Sequence, residues 1–486
     1  MKLLKIVKYV PVFSALILMP QGAAQAQETN QLEQLQKQLD QMQSNFDRVV
    51  REQRGQIESL KQQISTLQSN PSPAVAVAPV AVAPQPSALW SPVEPLQIGR
   101  GGTYMDVSLV ATFAGGGSTA TDIEGGTQLG GHDPNQRGFS VQGVEANFRG
   151  AVDPYFRGNA NVVFLLDSGG ESHTELEEAW LETISLPYNL QVRAGQYLTE
   201  FGRINTQHPH TWAFVDTPLV NGRLFGADGL RNPGVRVSWL APTPFYSELF
   251  FGVQNSQGET AFSFRNDHED ESYLGRLHGG RSVHDFTDML FSARYALSLD
   301  LTDSQTLLAG ASAAFGPNAS GPDTDTQIYG VDAMWKWKSP RANAGFPFVS
   351  WQTEAMVRRY EAGAFTEVVP DTDLNGDGTA DSIPAETLTD WGLYSQVLWG
   401  VRKGWILGLR GDYVAPCGTG AYEAVYGPDP GRATRWRISP NLTWYPTEFS
   451  KVRLQYNYDD RDGIGVDHSV WLQFEFLLGA HGAHKF

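Results

Sequence analysis

The segment from position 199 to 231 holds a mixture of basic, acidic and imidazole side chains. These residues are Arg203, His208, His210, Asp216, Arg223, Asp228 and Arg231. Charges of both signs therefore lie close together along one connection. Long connections tend to carry function, although an ordinary exposed loop would have a similar composition.

Two histidines that flank a proline, His208 and His210, could bind a metal ion through their ring nitrogens. Imidazole is a suitable ligand for zinc and copper. A zinc site needs further ligands, and the sequence offers no third one at a defined spacing. It remains open whether this pair binds a metal or belongs to a polar loop.

An acidic segment further along the chain has the residue types of a calcium-binding loop. Oxygen ligands stand at alternate positions and glycines allow a sharp turn, as calcium loops require. The candidate ligands are Asp371, Asp373, Asn375, Asp377 and Asp381. The bidentate glutamate expected at the twelfth position is missing, so a solvated acidic loop is the alternative. Calcium bound here would be structural, and no cofactor is required.

Composition and motifs exclude several classes of protein. The formal charge of −17 opposes sequence-independent binding of nucleic acid, which depends on clustered Lys and Arg. The single cysteine, Cys417, allows neither an intramolecular disulfide nor a CxxC motif. The sequence has no GxSxG elbow, no HExxH pair and no phosphate-binding P-loop. We therefore expect neither an enzyme nor a nucleic-acid-binding protein.

The first 26 residues have the pattern of a cleaved signal peptide. A basic start is followed by an apolar stretch and by Ala24-Gln25-Ala26, the small residues that signal peptidase recognises. The apolar stretch is shorter than the roughly 20 residues that span a bilayer. We predict that residues 1–26 are removed and that the mature protein leaves the cytoplasm.

Residues 27–70 predict a helical coiled coil. Apolar residues recur at spacings of three and four from Leu32 to Val49, and then in a shifted frame from Val50 to Leu67. Such a helix must pair with copies of itself or with a partner; a single solvated amphipathic helix is the alternative. Residues 71–95, rich in proline and alanine, predict an extended linker.

The remaining residues, 96–486, predict strands in which apolar and polar side chains alternate. Near the C-terminus, for example, Val470 and Leu472 alternate with Trp471 and Gln473. No apolar stretch is long enough for a transmembrane helix. Alternation alone does not distinguish a soluble sandwich from a membrane barrel, because both have one apolar and one polar face.

The lengths of the connections favour the membrane barrel, because short turns alternate with mostly longer polar connections, as in outer-membrane barrels. The sixteen predicted strands are 103–113, 139–152, 154–166, 174–184, 189–198, 232–241, 244–254, 284–297, 305–315, 327–338, 347–360, 388–401, 404–415, 433–445, 449–459 and 468–478. We therefore predict an all-β fold, a 16-stranded antiparallel transmembrane β-barrel preceded by an N-terminal α-helical coiled coil. Because the number of strands is even, the chain enters the first strand and leaves the last strand on the same side of the membrane, which we expect to be the periplasm.

The polar face of each strand would line the lumen of such a barrel. The charged residues predicted to face the lumen are Glu145, Arg149, Arg157, Arg193, Arg236, Arg294, Arg410, Arg437, Arg453 and Glu475. The arginines could line an anion path. However, residues 96–486 contain 46 acidic and 28 basic side chains, and an arginine in a lumen is often paired with a carboxylate. Both interpretations stay open.

In this organisation the chain resembles the porins of the Gram-negative outer membrane, especially the sixteen-stranded phosphate-selective O/P type, and its coiled coil resembles the extension of sucrose-type porins. The resemblance covers nearly the whole chain but rests on architecture, without a diagnostic motif. It implies that the third external loop, 199–231, is a pore constriction, and that the protein is a homo-oligomer, with a trimer expected. Family porins end in a strand whose last residue is Phe, whereas here residues 479–485 separate the last strand from Phe486.

The predicted function is passive diffusion of small hydrophilic or anionic solutes across the outer membrane. The barrel would contact outer-membrane lipid, and the periplasmic coiled coil would join barrels or contact the cell wall. The alternative is a substrate-specific uptake protein for a metal chelate or siderophore. Energy-coupled receptors of that kind carry a plug domain and a 22-stranded barrel, and no plug-sized segment precedes this barrel.

Overall fold

The computed structural model of the protein describes residues 96–100, 103–151, 153–265, 272–277, 282–367, 378–429 and 431–479. The predicted signal peptide, coiled coil and linker lie outside the described residues and stay predictions. In the described ranges, no helix is long and apolar enough to cross a membrane.

Sixteen strands of the described chain form one closed antiparallel sheet. Their bounds are β1 Thr103–Ser118, β2 Gly138–Ala151, β3 Phe156–Leu166, β4 Ser172–Thr183, β5 Leu190–Leu198, β6 Arg231–Leu240, β7 Tyr246–Gln254, β8 Leu290–Thr302, β9 Gln305–Pro317, β10 Asp325–Asn343, β11 Phe346–Ala362, β12 Glu386–Arg402, β13 Trp405–Pro416, β14 Arg435–Thr447, β15 Ser450–Arg461 and β16 Gly465–Leu478. Each strand pairs with the next along the chain, and β1 also pairs with β16, which places Leu109 opposite Leu478. This closure confirms the predicted 16-stranded all-β barrel.

Smaller elements occupy the connections and the N-terminal edge. A short strand, Leu96–Arg100, pairs with the start of β1. Two short helices are α1, Leu219–Phe225, and α2, Ala421–Tyr426. The remaining short strands and 3-10 turns are Ser272–Tyr273, Arg276–Leu277, Phe365–Thr366, Ser382–Ile383, Pro187–Asn189, Pro209–Thr211, Glu259–Ala261 and Phe286–Asp288.

The two faces of the wall are polar inside and apolar outside. Along β15, Arg453 and Gln455 are buried while Leu454 between them is exposed; along β16, Gln473 is buried and Phe474 is exposed. A soluble barrel would bury the apolar face instead, since burial of apolar surface drives folding in water. The exposed apolar face suits a lipid environment, and the polar face points into the barrel.

One predicted strand is displaced in the structure. The sequence pattern placed a strand at 284–297, whereas β8 runs from Leu290 to Thr302. Asp285 caps a 3-10 turn by accepting a hydrogen bond from the backbone N–H of Thr287 at 2.8 Å. This cap keeps the chain out of the sheet for several residues, because a capped turn satisfies backbone donors that a strand would otherwise present to its neighbour.

The long connections lie at one end of the barrel and fold over or into its interior. We call residues 119–137 loop 1, residues 199–230 loop 3 and residues 255–289 loop 4. Loop 3 leaves the wall between β5 and β6, yet its helix α1 packs against β11, β12 and β13. Those strands stand far around the wall from β5, so loop 3 crosses the barrel interior.

Candidate functional site

An apolar core fixes the middle of loop 3. Helix α1 buries Val220, Leu224 and Phe225 in one cluster with wall residues that include Met356 and Val414. Full burial of a side chain of this size contributes about 1.5–3 kcal/mol. These contacts make loop 3 a packed part of the barrel interior.

A buried carboxylate, Asp216, fastens loop 3 to β13 and β15. It accepts hydrogen bonds from Arg410 Nη2 at 2.6 Å, Gln455 Nε2 at 3.0 Å and Asn457 Nδ2 at 2.8 Å. Arg437 on β14 forms a further ion pair with it at 3.1 Å. Burial alone would raise the pKa of Asp216, but the two guanidinium groups outweigh it and lower the pKa below its ordinary value. Asp216 is therefore a charged anchor.

A second anchor holds the start of loop 3. Glu354 Oε1 accepts hydrogen bonds from the backbone N–H groups of Arg203 and Ile204, each at 2.8 Å. Gly202, with φ of +57°, makes this approach possible, because a Cβ at that position would collide with the Glu354 carboxylate. The side chain of Arg203 donates from Nε to Gln352 Oε1 at 3.4 Å.

Loops 1 and 4 support loop 3 from two other directions. In loop 1, Asp133 Oδ1 accepts a hydrogen bond from the backbone N–H of Thr217 at 2.8 Å. In loop 4, the Ser263 hydroxyl donates to the carbonyl of Leu224 at 2.5 Å. The three loops together fill part of the barrel interior.

Two large cavities adjoin loop 3 inside the barrel. One has a volume of 780 Å³ and is bordered by residues that include Arg149 and Lys451. The other has a volume of 530 Å³ and is bordered by residues that include Arg236 and Arg294. Arg203 of loop 3 borders both cavities. Among the described residues, no carboxylate lies within ion-pair distance of Arg149 or Arg203.

A group of basic side chains beside these cavities shares one buried carboxylate. Glu182 on β4 is fully buried and pairs with Arg193 at 2.7 Å, with Arg236 at 2.9 Å and with Arg157. Arg236 also pairs with Glu200. Three guanidinium groups thus face two carboxylates, which leaves a positive excess on this part of the wall.

Imidazole and carboxylate groups converge where loop 3 meets β2 and β4. His208 Nδ1 lies 2.8 Å from Glu177 Oε2, and His208 Nε2 lies 3.2 Å from Glu178 Oε2. His210 Nδ1 lies 2.7 Å from Glu145 Oε2. Burial disfavours the charged imidazolium of His208, but the Glu177 and Glu145 carboxylates outweigh it and raise the pKa of His208 well above its ordinary value.

The other charged residues that the sequence placed in loop 3 lie against neighbours. Arg223 donates to the carbonyls of Arg432 and Ala433 at 3.2 and 2.8 Å. Arg231, at the first position of β6, pairs with Glu175 at 2.7 Å. Burial and the Glu175 carboxylate raise the pKa of Asp228. Arg223 thus joins loop 3 to the connection between β13 and β14, and Arg231 joins β6 to β4.

The predicted lumen residues not yet described are mostly paired as well. Arg294 pairs with Asp332 at 2.6 Å, and Arg453 donates to Gln473 at 2.7 Å. Glu475 pairs with Lys451 at 2.6 Å. Two further predicted lumen residues form ion pairs: Arg410 pairs with Asp412 at 2.8 Å, and Arg437 pairs with Asp459 at 2.6 Å.

Most of the candidate calcium ligands lie outside the described residues. The ligands concerned are Asp371, Asp373, Asn375 and Asp377. Asp381 is described, and its backbone N–H donates to Glu367 Oε2 at 2.9 Å. The calcium site stays a prediction.

Sequence reasoning missed the carboxylates that organise the interior, above all Glu182 and Glu354. Both stand on inward-facing positions of strands, so the alternating pattern could have selected them. It could not have shown that Glu354 receives backbone N–H groups from a loop about 150 residues away, since alternation carries no information on long-range partners.

Comparison with solved structures defines the class of fold. The outer membrane channel DcaP of Acinetobacter baumannii superposes with a TM-score of 0.52 at 13% identity, over 79% of this chain and 100% of that one. An anion-selective porin from Comamonas acidovorans matches with a TM-score of 0.46 at 7% identity, over 77% of this chain and 100% of that one. The protein shares the barrel fold of the DcaP channel.

A relative of similar length defines the family. An uncharacterized protein of Aquifex aeolicus (strain VF5) is 31% identical in an alignment 388 positions long that covers 74% of this chain and 73% of that protein. The chain belongs to the same family as this protein. No family model matches the sequence.

Proposed function

We propose that the protein is an outer-membrane diffusion channel in which loop 3 narrows the path of small hydrophilic solutes. The main support for this proposal is that loop 3 crosses the barrel and is fastened to the opposite wall. Cavities of 780 and 530 Å³ adjoin the loop. An unfastened loop would not set a fixed aperture. Constrictions of this kind select solutes by width and by lining charge.

The outer face of the wall supports the membrane location. Large apolar side chains such as Leu454, Val470, Phe474 and Trp399 are exposed on it. Exposed apolar surface on this scale is unstable in water and stable in a bilayer. The closed barrel satisfies the strand hydrogen bonds, which a lipid-exposed sheet requires.

The charges beside the cavities favour solutes with an anionic group, although the chain as a whole is acidic. Arg203 borders both cavities, and neither it nor Arg149 has a described carboxylate within ion-pair distance. The three arginines around Glu182 add a positive excess. Low-dielectric walls concentrate such a local field, so the net charge of the chain does not decide selectivity.

The predicted N-terminal segments complete the proposal. A coiled coil at residues 27–70 would join several barrels from the periplasm, most simply as a trimer, or reach the cell wall. A calcium ion at the acidic segment would order part of the external rim.

Uptake by proteoliposomes tests the proposed function. Vesicles that contain the full chain should admit small sugars quickly and exclude larger oligosaccharides, with faster entry for an anionic sugar than for a neutral one of similar size. Arg203→Gln should reduce this anion preference, whereas Arg341→Gln, at an exposed position away from both cavities, should leave it unchanged. Vesicles that admit no solute despite a folded barrel would contradict the proposal.

A further inference from the structure

Three ligand atoms for a metal ion meet where loop 3 touches β2 and β4. Glu145 Oε1, Glu177 Oε2 and His208 Nδ1 form a group whose atoms all lie within 4.8 Å of one another. The imidazole nitrogen is 2.8 Å from the Glu177 oxygen and 3.6 Å from the Glu145 oxygen. Ligand atoms around a tetrahedral zinc ion are separated by roughly 3.3 Å, which follows from bonds of about 2.0–2.1 Å.

Each of these three groups has a second hydrogen-bonding partner that orients it. His208 Nε2 lies 3.2 Å from Glu178 Oε2, on the side of the ring opposite Nδ1. His210 Nδ1 lies 2.7 Å from the other oxygen of Glu145, and Asn161 Nδ2 donates at 2.6 Å to Glu177 Oε2, the ligand oxygen itself, which has a second lone pair for the ion. Metal-bound histidines and carboxylates are typically held by such outer partners.

The surroundings provide charge balance and access for a cation. Glu145, Glu177 and Glu178 are buried beside two histidines and Arg231, whose Nη1 lies 3.9 Å from Glu177 Oε1, so with neutral imidazoles three negative groups face one guanidinium. Several buried carboxylates at short range repel one another, and a divalent cation relieves this repulsion. Glu178, His208 and His210 border the cavity of 780 Å³, which gives an ion and a water ligand a route to the site.

We infer that this cluster is a binding site for one divalent first-row transition-metal ion, of which Zn²⁺ is the best fit. Glu145 Oε1, Glu177 Oε2 and His208 Nδ1 are the protein ligands, and water from the cavity completes the coordination. Because His208 Nδ1 must be deprotonated to bind the ion, zinc displaces to solvent the proton that this nitrogen shares with Glu177 at 2.8 Å. The mixed nitrogen and oxygen ligands favour zinc over magnesium and calcium, which prefer oxygen alone. The bound ion links loop 3 to β2 and β4, whereas Asp216 links it to β13 and β15.

Zinc titration of the untagged full chain in detergent tests the site. The metal-free protein competes with a chromogenic zinc chelator, and we expect one Zn²⁺ per chain that excess Mg²⁺ does not displace. His208→Ala should weaken binding by at least ~100-fold, and His210→Ala, which loses only an outer partner, by about 10–100-fold. His468→Ala is the matched control, because His468 contacts Tyr456 outside this cluster, and it should bind like the wild type.

Two results would overturn the inference: no zinc binding at micromolar concentration, or equal affinity of His208→Ala and the wild type. A heat-induced shift in gel mobility shows whether each variant contains a folded barrel. If His208→Ala does not fold, X-ray absorption of the zinc-loaded wild type identifies the atoms that bind the zinc ion. One imidazole with oxygen ligands supports the site, whereas two or more imidazoles contradict it.

Discussion

Replacing Asp216 by Asn should weaken the attachment of loop 3 to the far wall. The substitution keeps the shape of the side chain and removes the charge that pairs with Arg410 at 2.6 Å and Arg437 at 3.1 Å. Loss of one partner from a buried ion pair costs about 3–5 kcal/mol. The lower end applies here, because Arg410 keeps Asp412 and Arg437 keeps Asp459. A cost of about 3 kcal/mol lowers the ratio of docked to released loop by roughly 100-fold.

Single-channel recording measures this release. We expect Asp216→Asn to show larger mean conductance and more current noise than the wild type, because a released loop moves in and out of the path. Asp122→Asn is the matched control, since Asp122 also joins an external loop to an arginine, Arg461, but its side chain is 49% exposed. Exposed pairs contribute about 0–1 kcal/mol, so the control should behave like the wild type. Equal conductance and equal noise in Asp216→Asn would refute the anchoring role.

Three further predictions concern the wall, the N-terminal segment and the acidic loop. Glu182→Gln should lower the temperature of the heat-induced gel shift, because three guanidinium groups lose their shared carboxylate, whereas Glu171→Gln, in an exposed loop, should not. Deletion of residues 31–70 should weaken oligomers in cross-linking without removing the folded barrel; loss of the barrel would show that the segments are not independent. Asp373→Ala with Asp377→Ala should abolish a calcium-dependent rise in melting temperature, and a wild type that calcium does not stabilise would rule the site out.

Most of the barrel could be predicted from the sequence, because a lipid-facing wall imposes a strict period of two on every strand. The alternation of Val470 and Leu472 with Trp471 and Gln473 identified both faces of β16, and the structure confirms them. The start of β8 could not be predicted in this way. It depends on the cap at Asp285, which competes locally with strand pairing.

The organisation of the interior was largely beyond sequence reasoning. Composition identified His208 and His210 but offered no third metal ligand, because Glu145 and Glu177 approach from other strands. Asp216 stood out as a charge, yet its partner Arg410 is 194 positions away along the chain. Pairings of this length depend on barrel closure and loop folding, which no local pattern records.

The conductance of the full chain in a planar lipid bilayer tests the central claim most directly. A diffusion channel should produce discrete current steps that remain open at low voltage, vary linearly with voltage and increase with salt concentration. A preparation whose gel mobility shows a folded barrel, but which gives no current steps across the accessible voltage range, would contradict the proposed channel.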